Sequence, residues 1–255
     1  MAKYVCLDPG HGVETKGKRS PDGTYLEHEF NLDMAKRMQK LLQACGVSVV
    51  LTRADEHTAT LEQRVKVANR VQNLNLFVSL HSNAAGAGEW VDNARGYVIY
   101  TSQAGDTAGR NIAARAILKR IKDAGILVRG NGIAHSLFYV LRYTTAPAVL
   151  IEHGFHTSRE DVALLKTDAY RQKLAVENVR GICDFLGIPY KAVVETNAAA
   201  KPPVSPEKAA VDAAVDALSK AGIITAPDYW KAGAYSAENV QHLLVKSAAA
   251  LLKLE

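Results

Sequence analysis

The chain opens with a short apolar run at residues 3–8, closed by Pro9-Gly10, which predicts a buried strand entering a loop. After a Gly-, Lys- and Ser-rich stretch, the period changes. Leu32, Ala35, Met38, Leu41 and Leu42 recur at helical spacing, and Gly46 lies just past the end, where a left-handed residue stops a helix. The β-branched run Val47–Thr52 predicts a second strand, and Thr60–Gln72 a second helix with Leu61, Val65 and Ala68 on one face. Further strands are predicted at Leu76–Leu80, Tyr97–Thr101, Leu137–Leu141 and Ala148–Ile151. Between them, Asp106–Lys122 predicts a long helix with Ile112, Ala116 and Ile117 inward, and Arg159–Leu186 one or two closing helices. This alternation predicts an α/β domain over residues 1–188, a mostly parallel twisted sheet flanked by helices.

The pattern breaks at residue 189. Four of the eight prolines fall between Pro189 and Pro206 among small residues, as in an extended linker over 189–206. Residues 207–255 then predict a small all-helical module, with Val211, Val215 and Leu218 in one helix and Val240, Leu243, Leu244 and Leu251 in another. A module of that size either stands alone or dimerises, so a homodimer through it is one expectation.

Charge adds a location. The 255 residues hold 31 Lys+Arg against 26 Asp+Glu, a formal net charge of +5. From residue 191 on there are 7 Lys and 7 Asp+Glu, so residues 1–190 carry the whole excess. A modest positive field favours an anionic partner without selecting one. No apolar run approaches the roughly 20 residues of a membrane span, so no membrane insertion is expected. The first residues, Met-Ala-Lys-Tyr-Val-Cys-Leu-Asp, lack the h-region of a secretory signal, so synthesis in the cytoplasm is expected. Cys6, Cys45 and Cys183 are odd in number and widely spaced, as buried thiols are in a reduced compartment.

In α/β folds, ligands bind beyond the carboxyl ends of the strands. Polar groups gather at those places here: Asp8-Pro9-Gly10-His11-Gly12, His81-Ser82-Asn83 and Glu152-His153-Gly154 after strands, and Glu27-His28-Glu29 opening a helix. Two histidines and a carboxylate at such positions suit a catalytic zinc, because three N/O ligands leave a coordination position for water. A further carboxylate beside that water would act as general base. Helical periodicity does not choose among Glu27, His28 and Glu29, since the inward stripe through Asn31, Leu32 and Ala35 passes near several of them.

Six segments settle the choice by resemblance. Leu-Asp-Pro-Gly-His-Gly at 7–12, Glu-His-Glu-Phe-Asn-Leu at 27–32, Val-Leu-Thr-Arg-Ala-Asp at 50–55, Leu-Glu-Gln-Arg-Val-Lys-Val-Ala-Asn at 61–69, Phe-Val-Ser-Leu-His-Ser-Asn-Ala at 77–84 and Pro-Ala-Val-Leu-Ile-Glu-His-Gly-Phe at 147–155 share their order and spacing with one family. Over about residues 3–187 the chain resembles the zinc-dependent N-acetylmuramoyl-L-alanine amidases of the amidase type 3 family. The resemblance implies one zinc ion held by His11, Glu27 and His81, with Glu152 activating its water. It implies hydrolysis of the amide between N-acetylmuramic acid and L-alanine, with peptidoglycan rather than nucleic acid as partner. A phage endolysin or bacterial autolysin that acts on the cell wall after release fits the expected absence of a leader. Departures are small: Val13 stands where another glycine is frequent, Asn75 for a frequent Asp, and His153 where Thr is usual.

Asn83 and Arg142 are candidate substrate-binding residues, while Arg53 and Asp55 are expected to pair or cap the following helix. Trp90 is expected to be half-buried packing rather than a groove wall. Within 221–231, Tyr229 and Trp230 are candidate cell-wall anchors, by a likeness to short repeats of wall-associated proteins. Competing readings are a zinc peptidase or deacetylase on a related wall substrate, and a non-catalytic wall-binding protein.

Overall fold

A computed structural model describes residues 2–193 apart from 104, 106 and 107. The elements run β1 (Lys3–Pro9), α1 (Glu27–Ala44), β2 (Val47–Leu51), α2 (Leu61–Arg70), β3 (Leu76–Asn83), β4 (Tyr97–Thr101), α3 (Gly109–Asp123), β5 (Val128–His135), α4 (Tyr139–Tyr143), β6 (Ala148–Phe155), α5 (Arg159–Leu165) and α6 (Asp168–Leu186).

Local chemistry explains several boundaries. Thr60 and Gln63 form a reciprocal capping box at the start of α2. The hydroxyls of Ser158 and Thr167 accept backbone N–H bonds at the starts of α5 and α6. Gly187 closes α6 in the left-handed conformation.

The six strands form one sheet in the order β2-β1-β3-β6-β4-β5. β2, β1, β3 and β6 are mutually parallel, whereas β4 joins β6 antiparallel and β5 follows β4 in parallel. The sheet is therefore mostly parallel, and strand carboxyl ends lie at both of its ends along the strand direction. Side chains alternate between two cores, as the period of a strand demands. Val5, Leu7, Leu76, Val78, Leu80, Val149 and Ile151 bury on one face with residues of α1, α3 and α6. Cys6, Phe77, Ala148 and Leu150 bury on the opposite face with Val65 and Ala68 of α2 and Val140 and Leu141 of α4. Cys6, Cys45 and Cys183 are all free and buried.

The strand expected at Leu137–Leu141 is not formed. Those residues lead into α4, and the strand beside β4 is Val128–His135. β5 lies at the sheet edge, largely exposed and interrupted by Gly130 and Gly132, so it carries no apolar alternation to read. Leu137 and Phe138 stay exposed while Val140 and Leu141 are buried, which suits a single helical turn. Two expected faces also rotate. Ile112 is exposed and α3 buries Ala113, Ala114, Ile117 and Ile121 instead, while Leu61 is exposed and α2 buries Arg64 beside Val65 and Ala68.

Trp90 is half-buried against the larger core, with the Arg159 guanidinium 4.9 Å from its ring centroid. At 189–193, where the linker was expected to start, Tyr190 and Val193 pack on the same core, and Lys191 N–H donates to Cys45 Sγ at 3.2 Å. The rest of the expected linker, the helical module at 207–255, its dimerisation, and Tyr229 and Trp230 lie outside the described residues. Among the described residues no helix is long and apolar enough to cross a membrane.

Candidate active site

Sheet register brings the polar strand ends of the sequence together. Pro9 pairs with Leu80 and His81 with Glu152, so the loop after β1 and the ends of β3 and β6 meet at one end of the sheet. Glu27 enters from the first residue of α1, its N–H donating to Lys18 O at 3.0 Å. His11, Glu27 and His81 each offer one donor atom, and the three atoms lie within 4.8 Å of one another. His81 Nδ1 is 2.9 Å and His11 Nε2 3.4 Å from Glu27 Oε1, which also accepts the Ser82 N–H at 3.2 Å.

Between Glu27, His28 and Glu29 the backbone makes a plain choice. Glu27 is buried in the cluster, Glu29 is exposed, and His28 contributes its carbonyl to Arg53 rather than its ring to the cluster.

Burial pushes the Glu27 carboxyl up, but hydrogen bonds from His11 and His81 outweigh it and hold the group well below the usual carboxylate range. Glu27 thus remains an anion between two imidazoles. Glu152 lies beside them in the opposite state. Burial, and then the Glu27 charge, push its carboxyl up to about 8 against the partial opposition of His81. Its Oε2 is buried and has no hydrogen-bond partner among the described residues. An orphaned carboxylate oxygen beside two imidazoles and a carboxylate matches the donor set and the vacant partner that a catalytic zinc with its water would need.

The three side chains and Glu152 line a cavity of about 560 Å³. Leu61, Phe138, Tyr139 and Val140 give it apolar walls, and Lys18 and Asn83 polar ones. Asn83 is therefore at the site, with its Oδ1 bound to Ala84 N–H at 2.8 Å and its carbonyl to His156 N–H at 2.8 Å. Arg142 is not. Because residues 139–143 form a helix rather than a strand, Tyr139 and Val140 face this cavity while Leu141 and Arg142 line a second one.

The support of the His11 loop was not visible from spacing. Arg53 meets Asp55 through the backbone carbonyl rather than by capping a helix. Its buried guanidinium donates to Pro9 O, Gly10 O, His28 O and Asp55 O at 2.5–3.0 Å. Arg64 donates to Asp8 Oδ1 at 2.7 Å, Pro9 O at 2.6 Å and His11 O at 2.9 Å, and Asn31 Nδ2 to Gly10 O at 3.2 Å. These donors occupy the carbonyls of residues 9–11 and hold His11 with a left-handed φ of 57°. The available signal was Arg64 itself, a charge on the inward stripe of α2 between apolar neighbours.

His153 and His156 are also structural partners of the cluster. His156 Nδ1 lies 2.9 Å from Ser82 O and 3.7 Å from Glu27 Oε2. His153 is buried between Phe30 and Tyr97, with ring centroids 5.4 and 5.6 Å away.

Comparison with known proteins identifies the family. The sequence profile of the N-acetylmuramoyl-L-alanine amidase family matches residues 5–184. N-acetylmuramoyl-L-alanine amidase LytC of Bacillus subtilis is 33% identical over 175 residues, which are 69% of this chain and 34% of LytC, so the chain spans about a third of that relative. The endolysin of Bacillus phage SPP1 is 33% identical over 193 residues, 75% of this chain and 69% of the endolysin. The catalytic domain of CwlV, an amidase from Bacillus (Paenibacillus) polymyxa var. colistinus, superposes with a TM-score of 0.64 at 31% identity, covering 73% of this chain and 99% of that domain. The chain belongs to the N-acetylmuramoyl-L-alanine amidase family.

Proposed function

We propose that the chain hydrolyses the amide between N-acetylmuramic acid and L-alanine in peptidoglycan, with one zinc ion held by His11, Glu27 and His81 and with Glu152 as general base and acid. The observation that carries this reading is the meeting of a His-Glu-His donor set and an unpartnered Glu152 oxygen in one cavity. When bound, zinc supplies a Lewis acid that makes water acidic near neutrality and polarises an amide carbonyl.

The residues account for the remaining work. Glu27 is held well below the usual carboxylate range beside the two imidazoles, so an entering metal would displace no proton from the carboxylate, and any proton an imidazole nitrogen shares with it would leave as that nitrogen turned to the metal. Glu152 Oε2 accepts a proton from the attacking water and returns it to the alanine nitrogen as the C–N bond breaks. The products are a lactyl carboxylate on the sugar and a free alanine amino terminus. Without a metal, burial pushes Glu152 up to about 8; a dication held by the neighbouring cluster would lower it again, leaving the carboxylate able to take that proton near neutral pH. Leu61, Phe138 and Tyr139 give the cavity an apolar wall against which a substrate would rest, and Lys18 and Asn83 offer polar contacts to the stem peptide.

The test joins metal content to product chemistry. Purified protein is expected to hold one zinc per chain and to free L-alanine amino termini from cell walls, with neither new reducing ends nor acetate. New termini at other stem-peptide positions would indicate a peptidase, and acetate a deacetylase. The Glu152→Ala variant is expected to keep its zinc and lose at least about 10²–10⁴-fold in turnover. Turnover within a few-fold of wild type in that variant would remove Glu152 from the mechanism.

A further inference from the structure

The antiparallel entry of β4 gives the sheet a second set of strand carboxyl ends, away from the His-Glu-His cluster. Val98 stands opposite Glu152 and Tyr100 opposite Leu150, so Ser102 comes level with Ala148, at the far end of β6. Four residues of strand separate that level from Glu152, roughly 13 Å at ~3.3 Å per residue. A cavity of about 200 Å³ opens there, lined among others by Ser102, Gly109, Arg110, Arg142, Thr144 and Thr145.

Its chemistry is that of an oxyanion site. Two guanidiniums line it and, among the described residues, no carboxylate does. Arg110 Nη1 donates to Ser102 Oγ at 2.5 Å, which fixes one fork. The Arg142 guanidinium rests 5.3 Å from the Tyr143 ring centroid and is otherwise exposed. Gly109 begins the 15-residue α3, whose cap position is Ala108, a residue with no side-chain acceptor. The positive end of that helix dipole therefore lies at the cavity. The independent observation is Thr144, which is 92% buried, lines the cavity, and has a hydroxyl without a hydrogen-bond partner among the described residues. A buried hydroxyl without a protein partner is free to hydrogen-bond an oxygen that enters the cavity. The loop that presents it is already rigid. Asn69 of α2 donates to Tyr143 O at 3.0 Å and accepts from Thr145 N–H at 3.0 Å and Thr145 Oγ1 at 3.2 Å.

We infer that this cavity binds a phosphate group through Arg110, Arg142 and Thr144, at the end of the sheet opposite the hydrolytic site. Guanidinium forks match phosphate oxygens in pairs, and the cavity has room for a phosphate with its attached chain. The same group could come from free phosphate or from a phosphodiester-linked polyol polymer, and a polymer held here would tether the enzyme while the distant site works.

The full-length, zinc-loaded protein would be titrated with inorganic phosphate by calorimetry and ³¹P NMR. Saturable binding is expected, weakened at least about 20-fold in the Arg110→Gln/Arg142→Gln double variant. Thr144→Val should weaken it about fivefold without lowering the melting temperature, and Thr144→Ser hardly at all. Phosphate that binds at the zinc would survive the double substitution undiminished, and that result, like the absence of saturable binding, overturns the proposal. A short poly(glycerol phosphate) that displaces inorganic phosphate identifies the polymer as the source, and failure to displace it identifies free phosphate. A protein that bound no zinc would fail the hydrolytic reading, yet its phosphate titration would still decide this one.

Discussion

The Nδ1–H of His153 donates to the backbone carbonyl of His81 at 3.0 Å, joining the residue after Glu152 to a proposed metal ligand on the neighbouring strand. The tautomer follows from the next bond. Asn178 Nδ2 donates to His153 Nε2 at 3.0 Å, and Tyr97 O–H to Asn178 Oδ1 at 2.6 Å, so the ring proton must sit on Nδ1. Burial pushes His153 down to about 4, so the ring is neutral at pH 7.

Thr, the residue usual at this place in the family, would not replace His153 in this core. His153→Thr leaves Asn178 Nδ2 without an acceptor and opens a gap between Phe30 and Tyr97. The expected cost is about 2–4 kcal/mol, a melting temperature lower by roughly 5–15 °C. A melt that moves less than a couple of degrees would show that the network carries little of the stability.

Gly10 supports the site by what it lacks. A Cβ there would lie 2.1–2.6 Å from three atoms of the His81 ring, so Gly10→Ala must move that imidazole. Zinc affinity, measured by competition with a chromogenic chelator, should fall by roughly 10–100-fold, the range typical of disturbing groups that orient a ligand. Gly17→Ala serves as the comparison, since nothing lies within 4 Å of its added Cβ, although its φ of +78° makes the backbone strained. Equal zinc affinity in Gly10→Ala and wild type would mean that His81 does not need its present position.

Strong periodicity made much of this architecture legible, and its absence hid the rest. The buried runs of β1, β3 and β6 read as strands because both faces are covered, and their ends carried His11, His81 and Glu152 into view. β5 was invisible because an exposed edge strand containing Gly130 and Gly132 needs no apolar pattern. Arg142 lines the second cavity because residues 139–143 form a turn of helix rather than the end of a strand. Among Glu27, His28 and Glu29, a fraction of a helical turn decides the outcome, and only family likeness or coordinates resolve that. Arg53 and Arg64 escaped because both serve backbone carbonyls, which leave no trace in spacing.

Metal binding and stability should be linked. Ligand that binds only the folded chain adds RT ln(1 + [L]/Kd), about 4 kcal/mol at a thousandfold excess over Kd. Chelation by EDTA is therefore expected to lower the melting temperature by roughly 10 °C, and added zinc to restore it. Glu27→Gln removes the anionic ligand and leaves His11 and His81 with a neutral neighbour, so its melt should be insensitive to both treatments. A Glu27→Gln protein that responds to zinc as wild type does would place the metal elsewhere.

The pair Asp8–Arg64 sets how the site tolerates acid. Asp8 is buried, and its carboxylate accepts from Arg64 Nη1 at 2.7 Å, Thr52 Oγ1 at 2.5 Å and Ser79 Oγ at 2.6 Å. Burial pushes its pKa up, but the Arg64 charge and these hydroxyls outweigh it and hold the group below the usual carboxylate value. A depressed carboxylate contributes stability that is present above its unfolded pKa of ~3.9 and is lost as pH falls through the lower native value. Wild-type stability should therefore drop on acidification below about pH 4, and the loop at 8–11 should loosen with it. Asp8→Asn leaves the Arg64 charge buried and uncompensated, at an expected cost of about 3–5 kcal/mol at pH 7. Because the variant has no Asp8 proton to take up, its stability should change less between about pH 5 and pH 3 than that of wild type, and the gap between the two should narrow. Denaturant unfolding of both proteins across that range checks the sign, and a gap that widens on acidification would show that Asp8 is not held ionised by Arg64.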